Sequence, residues 1–221
     1  MPEENRRGIF IVIEGLDRSG KSTQAAALVS RLEETGVSAT LMKFPDRTTP
    51  IGRMIDAYLR SESDIDDHAI HLLFSANRWE LASNIERALA SGTSIVCDRY
   101  AFSGVAFSAS KGLPFEWCRS PDVSLPAPDL TLFLDISPEK AKERGGYGEE
   151  RYEKEGMQRR VREIFSTIAT EANEKESWKW TTVDAGMDLE SVSKSIWREV
   201  EPLLSADRGH IQRLWTSALA S

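Results

Sequence analysis

Histidine and cysteine are scarce in this chain of 221 residues, which has three of the first, at 68, 71 and 210, and two of the second, Cys97 and Cys118. So little His argues against a His-based metal cage or a hydrolase triad. Two cysteines make no disulfide framework; they read as buried apolar thiols rather than a redox or metal pair. No apolar run approaches the roughly 18 residues of a membrane span. The N-terminal Met-Pro-Glu-Glu-Asn-Arg-Arg leads into no signal-peptide core, and its acids argue against a transit peptide. Surplus positive charge is missing too: 28 Lys and Arg stand against 35 Asp and Glu, a net charge of −7. An acidic chain carries no global footprint for nucleic acid or an anionic membrane, so any anion must be held by a local cationic cluster. The expectation is a cytoplasmic protein, with nuclear residence open, that binds neither nucleic acid nor membrane. Its length favours one domain over residues 1–221.

What is present is alternation. Residues 9–13, Ile-Phe-Ile-Val-Ile, form an apolar β-branched run of the kind buried on both faces of a parallel sheet. Further strands are expected at 37–44, 94–98, 130–136 and 180–183, and helices at 21–34, 51–59, 66–90, 101–111, 114–119, 157–175 and 189–204, with another starting at Pro138. Repeated β-α-β units mean a parallel sheet wrapped by helices. Near the C-terminus Ile211, Leu214, Trp215 and Leu219 recur at helical spacing, which predicts a docked helix, or failing that a tail, over about 206–221.

Between the first strand and the first helix lies Gly15-Leu16-Asp17-Arg18-Ser19-Gly20-Lys21-Ser22, a match to G-x-x-x-x-G-K-S in the context that confirms a phosphate-binding loop. Its glycines let successive N–H groups converge on one anion, and the helix N-terminus adds its dipole. Ser19, Gly20, Lys21, Ser22 and Thr23 are therefore ATP-binding candidates. Lys21 would reach the β- and γ-phosphates, while the Ser22 hydroxyl and Asp98, at the end of an apolar strand, would hold Mg²⁺. The expected class is α/β with the P-loop NTPase fold, a central parallel sheet flanked by helices. No Asn-Lys-x-Asp or Thr-Lys-x-Asp guanine-reading motif occurs, which lowers the case for a GTPase switch.

Several blocks in order then make a resemblance specific. Gly15–Gln24, Phe44-Pro45-Asp46-Arg47, Leu72–Glu80, Asp98–Phe107 and Glu150-Arg151-Tyr152-Glu153 resemble the thymidylate kinases, particularly the animal and fungal branch. The resemblance implies transfer of the γ-phosphoryl group of ATP to thymidine 5′-monophosphate (dTMP), with Mg²⁺ and a homodimer. It implies that Arg47 and Arg99 hold the acceptor phosphate, and that Arg18 bridges donor and acceptor as the main catalytic arginine. It also implies that Asp17 takes the sugar 3′-hydroxyl, Phe74 stacks on thymine, Arg78 donates to a base carbonyl, Phe44 forms a second wall, and Tyr152 excludes a 2′-hydroxyl. Gly104 and Gln158 are further pocket candidates. Residues 144–153, with their glycines and charges, read as a short mobile lid, in which Arg144 stands near ATP and Arg151 is either catalytic or a structural ion pair.

Blander alternatives accompany each: Arg99 in a salt bridge, Arg47 in solvent, Asp17 bracing the loop, Phe74 in the core with Arg78 on the surface, Tyr152 packing the lid. Two other readings compete with the whole. A deoxynucleoside kinase would need Glu14 as a general base for a hydroxyl acceptor, and a nucleotide-dependent switch would need no acceptor at all.

Overall fold

The computed structural model describes residues 6–144, 151, 152, 154–175 and 178–216. Five strands, β1 (Phe10–Gly15), β2 (Ala39–Lys43), β3 (Ser94–Asp98), β4 (Leu130–Asp135) and β5 (Lys179–Asp184), form one parallel sheet in the order β2-β3-β1-β4-β5. The first strand is central, with Ile13 beside Asp98 on one side and Gly15 beside Leu134 on the other. Its unbroken apolar run follows from that position. Phe10 and Val12 enter one core cluster, whereas Ile11 and Ile13 enter the other, on opposite faces of the sheet.

Helices α1 (Lys21–Glu34) and α8 (Leu189–Val200) cover one face, supplying Leu28, Leu32, Ile196 and Trp197 to its core. The other face is covered by α2 (Pro50–Leu59), α3 (Asp67–Ala90), α4 (Ala101–Ala109) and α7 (Glu155–Lys175), with Ile55, Ile85, Phe102 and Phe165 inward. Shorter α5 (Phe115–Arg119) and α6 (Pro138–Glu143) complete the set. Side chains set several starts: Thr49 accepts from Gly52 N, Asp66 from His68 N and Asp188 from Ser191 N.

Two expectations need correction. The helix expected over 189–204 stops at Val200, and Glu201–Leu204 continue as a 3₁₀ turn, because Pro202 lacks the N–H that an α-helix would use. The C-terminal segment, as far as it is described (206–216), is not a docked helix. Its backbone pairs across to the 124–127 loop: Leu214 N donates to Leu125 O at 2.9 Å, Ala127 N to Gln212 O at 2.8 Å and Ser124 N to Leu214 O at 2.9 Å. Adjacent Leu214 and Trp215 are both buried, Trp215 with its ring edge-on to Phe102 at 5.8 Å. Leu219 and lid residues 145–150 and 153 lie outside the described residues. Among those described, no helix is long and apolar enough to cross a membrane.

Candidate active site

The C-terminal ends of β1 and β3 lie side by side, and the loops that leave them carry the chemistry, as an open parallel sheet dictates. Gly20 takes φ 91°, a left-handed conformation open to glycine, and turns the chain into α1 without a side-chain cap. The first N–H groups of a 14-residue helix are thereby left for an anion. Lys21 folds over this loop, its Nζ 2.6 Å from Leu16 O and 3.4 Å from Ser19 Oγ. Burial and then the Arg99 charge lower its pKa to about 7, against the pull of Asp17, Asp98 and Glu14. A polyphosphate placed here would supply the opposing charge and restore full protonation.

Ser22 Oγ donates to Asp98 Oδ2 at 2.5 Å, and Lys43 Nζ stands 3.8 Å from that oxygen. Among the described residues no three His, Cys, Asp or Glu gather into a metal cage. One hydroxyl and one carboxylate are instead the hard-oxygen pair that suits Mg²⁺ when phosphates and water complete its shell.

Arg99 follows β3 with φ 68° and reaches back across the loop. Its Nη1 donates to Gly15 O at 3.1 Å and Ser103 Oγ at 3.0 Å, and it ion-pairs with Asp17. The salt-bridge alternative therefore describes its contact, while the side chain still lines the cleft. Asp17 also accepts from Gln158 Nε2 at 2.7 Å. Gln158 is buried behind Asp17, outside the cleft lining, and acts as a brace.

Two cavities meet at the phosphate loop. One, of about 620 Å³, is lined by every residue nominated for ATP, including Arg144, and by Met187, Leu189 and Val192 beyond them. Arg144 is fixed there by Nη1 to Arg18 O at 3.2 Å and Nη2 to Ala185 O at 2.5 Å. The second, of about 310 Å³, is lined by Asp17, Phe44, Arg47, Phe74, Arg78, Arg99, Gly104 and Tyr152. Among the described residues only Arg18, Lys21 and Ser22 line both.

Arg47 faces this second cleft from the loop before α2, with Nη1 2.7 Å from Asp56 Oδ1. The cis Phe44–Pro45 bond and the hydrogen bond from Asp46 N to Asn77 Oδ1, 2.8 Å, shape that loop. Arg78 is neither surface nor free. It is 2% exposed and pairs with Asp122 through Nε to Oδ1 at 3.1 Å and Nη2 to Oδ2 at 2.5 Å. A buried guanidinium needs such a partner, since removing one member of a buried pair typically costs about 3–5 kcal/mol. Gly104 admits it closely: a Cβ there would stand 2.7 Å from Arg78 Nη2. Tyr152 stacks on Phe107 at 5.4 Å, and its hydroxyl accepts from Lys111 Nζ at 3.1 Å. Burial pushes that phenol well above its usual pKa, so it stays neutral.

Glu14 does not face either cavity. It is fully buried and accepts from Tyr100 N, Ser103 N and Ser103 Oγ at 2.9, 3.0 and 2.5 Å, anchoring the start of α4. Burial raises its pKa despite Arg99 and these donors. The hydroxyl-activating alternative thus loses its base. Arg151 is tied away from the loop, to Tyr58 O, Ser63 O and Asp64, with its guanidinium over the Tyr58 ring at 4.2 Å. Asp122, Ser103, Phe107 and Lys111 were not nominated from the sequence.

Residues 13–196 match the family model described as thymidylate kinase. Thymidylate kinases are similar over most of their length: that of Schizosaccharomyces pombe at 53% identity, covering 89% of this chain and 92% of the relative, and that of Homo sapiens at 46%, covering 86% and 89%. The solved thymidylate kinase of Candida albicans superposes with a TM-score of 0.85 at 39% identity, covering 94% of this chain and 98% of that one. With an intact phosphate loop, an arginine after β3 and this degree of likeness along most of the chain, the protein belongs to the thymidylate kinase family.

Proposed function

We infer that the two cavities are the donor and acceptor halves of one phosphoryl-transfer site, joined at Arg18, Lys21 and Ser22. The protein transfers the γ-phosphoryl group of ATP to dTMP, giving dTDP and ADP. The single observation that carries the site assignment is the sorting of side chains. Residues nominated for ATP line one cavity, and all those nominated for dTMP except Gln158 line the other.

In this reading the loop N–H groups and Lys21 hold the β- and γ-phosphates, and Arg144 flanks the nucleotide. Arg99 and Arg47 fork onto the dTMP phosphate. That phosphate has a second pKa near 6, so it arrives anionic and needs no general base. What remains is to align two anions and neutralise the charge between them, which is the role of Arg18 at the seam. Ser22 and Asp98 would hold Mg²⁺, which when bound supplies charge neutralisation at the β- and γ-oxygens. Thymine lies between Phe74 and Phe44, with Arg78 donating to one of its carbonyls. Tyr152 closes the 2′ side of the sugar, and Asp17 faces the 3′ side.

Residues 1–221 act as one domain in this account, and the active form is a homodimer. Supporting the dimer, Met54 on α2 and Leu72 and Trp79 on α3 are 51%, 47% and 42% exposed on two helices that pack together. Calorimetry with ADP and with dTMP tests the sorting. Arg99→Ala is expected to weaken dTMP at least tenfold and leave ADP within about twofold, and Arg144→Ala to do the reverse. Loss of ADP affinity in Arg99→Ala with dTMP unaffected would overturn the assignment.

A further inference from the structure

A buried asparagine stands behind the loop that carries Arg47 and takes no direct part in the scheme above. Asn77 on α3 is 0% exposed. Its Oδ1 accepts from Asp46 N at 2.8 Å, and its Nδ2 donates to Asp46 O at 3.2 Å. The amide thus satisfies both main-chain groups of one residue, as a neighbouring strand would. Nδ2 also meets Thr49 Oγ1 at 3.0 Å and Glu80 Oε2 at 3.1 Å, and Thr49 Oγ1 donates to that same carboxylate oxygen at 3.0 Å. These partners settle which way the amide points. Turned over, it would set N–H against N–H at Asp46 and a carbonyl against a carboxylate at Glu80. The residue so held leads directly into Arg47. From its other side the first turn of α2 closes on it: a Cβ on Gly52 would stand 1.7 Å from Asp46 O and 2.9 Å from Arg47 Cα. The Asp46 carboxylate accepts from Thr48 N at 2.9 Å, which closes the turn across Arg47. At the far end of the Arg47 side chain, Nη1 lies 2.7 Å from Asp56 Oδ1. An arginine located at both ends gives up less freedom when it takes a ligand.

We propose that Asn77 is a positioning residue for the acceptor phosphate: it grips the Asp46 main chain so that Arg47 presents its guanidinium to the 5′-phosphate of dTMP. The inference rests on the reading of Arg47 as a phosphate ligand. Asparagine suits the task because the Asp46 main chain needs a donor and an acceptor side by side. An aspartate of the same size would lose the donor and set a second anion beside Glu80.

The test compares two ligands of the full chain, dTMP and thymidine, which differ only at the 5′-phosphate. Calorimetry gives the dissociation constant of dTMP, and inhibition of dTMP turnover gives that of thymidine. Arg47→Ala is expected to weaken dTMP about tenfold or more and thymidine less than about twofold. Asn77→Ala should weaken dTMP roughly tenfold, short of the roughly hundredfold that a misplacement of about 1 Å can cost, and leave thymidine within about twofold. In an Arg47→Ala background Asn77→Ala should add less than about twofold, because the arginine it positions is gone. A merely structural asparagine would weaken both ligands alike, or lower the active fraction without moving either constant, and its effect would persist in Arg47→Ala. Any of these, with Arg47→Ala itself selective for dTMP, overturns the role of Asn77 alone. If Arg47→Ala weakens both ligands alike or neither, the phosphate reading of Arg47 falls and the proposal with it. Should Asn77→Ala fail to fold, the polar Asn77→Ser, too short to reach Asp46, reads the same constants in the same cycle with the same expectation.

Discussion

Arg18, Arg99 and Arg151 all arise near phosphate-binding segments, but their anchors differ. Arg99 is fixed by Gly15 O, Ser103 and Asp17 on the side of the loop that faces the second cleft. Arg18, at φ 63° within the loop, lines both cavities. Arg151 is committed to the end of α2 and to Asp64. Arg18→Ala is therefore expected to lower kcat by about 10³-fold, the scale of an arginine that neutralises charge in phosphoryl transfer. Arg151→Ala should lower it less than tenfold. Steady-state rates at saturating ATP and dTMP distinguish them, and a larger loss in Arg151→Ala would move the catalytic role to the lid. At this scale the loop was legible in the sequence because its chemistry is contiguous, from Gly15 to Ser22. Asp122 was not. It meets Arg78 from 44 positions away, out of a 3₁₀ turn whose Pro-Asp pair looks like any loop. Glu14, which only the deoxynucleoside-kinase alternative needed as a base, was equally hard to place: a strand-end acid looks free until its lone pairs are traced to the start of α4.

Among the elements, α4 carries the most. Ser103, Gly104, Phe107 and Ser108 all line the second cleft, while Phe102 on its opposite side packs against Trp178, Trp180 and Trp215. The C-terminal strap thus braces the helix that shapes this cleft. Trp215→Ala removes a side chain that is 3% exposed, and should cost about 3 kcal/mol of stability in urea unfolding; a loss below about 1 kcal/mol would show that the strap is not part of the core. The strands and long helices were legible because each has its own period: β1 an unbroken apolar run between two cores, α8 an apolar stripe of Val192, Ile196 and Val200. The strap was not, because Ile211, Leu214 and Trp215 share helical spacing while the backbone hydrogen bonds of Gln212 and Leu214 run to another loop. Spacing reports which residues are apolar and leaves open where the N–H groups go.

Taken whole, the molecule is an acidic chain, net −7, that gathers Arg18, Lys21, Arg47, Arg78 and Arg99 around two joined cavities. Overall charge therefore says little about its substrates, because the field that matters is local. The exposed Met54, Leu72 and Trp79 belong to the same scale: light scattering after size exclusion should give twice the 24.7 kDa chain mass, and a monomer at micromolar concentration would contradict the dimer. The central claim is that the acceptor cleft takes a nucleotide already bearing a phosphate, with thymine as its base and no 2′-hydroxyl. ADP release with ATP and Mg²⁺ should be measured with dTMP, dUMP, UMP and thymidine as acceptors, and with none. The account predicts the highest kcat/KM for dTMP, a far lower value for UMP, and negligible turnover with thymidine or no acceptor. Faster turnover with thymidine than with dTMP, or ADP release that needs no acceptor, would contradict it.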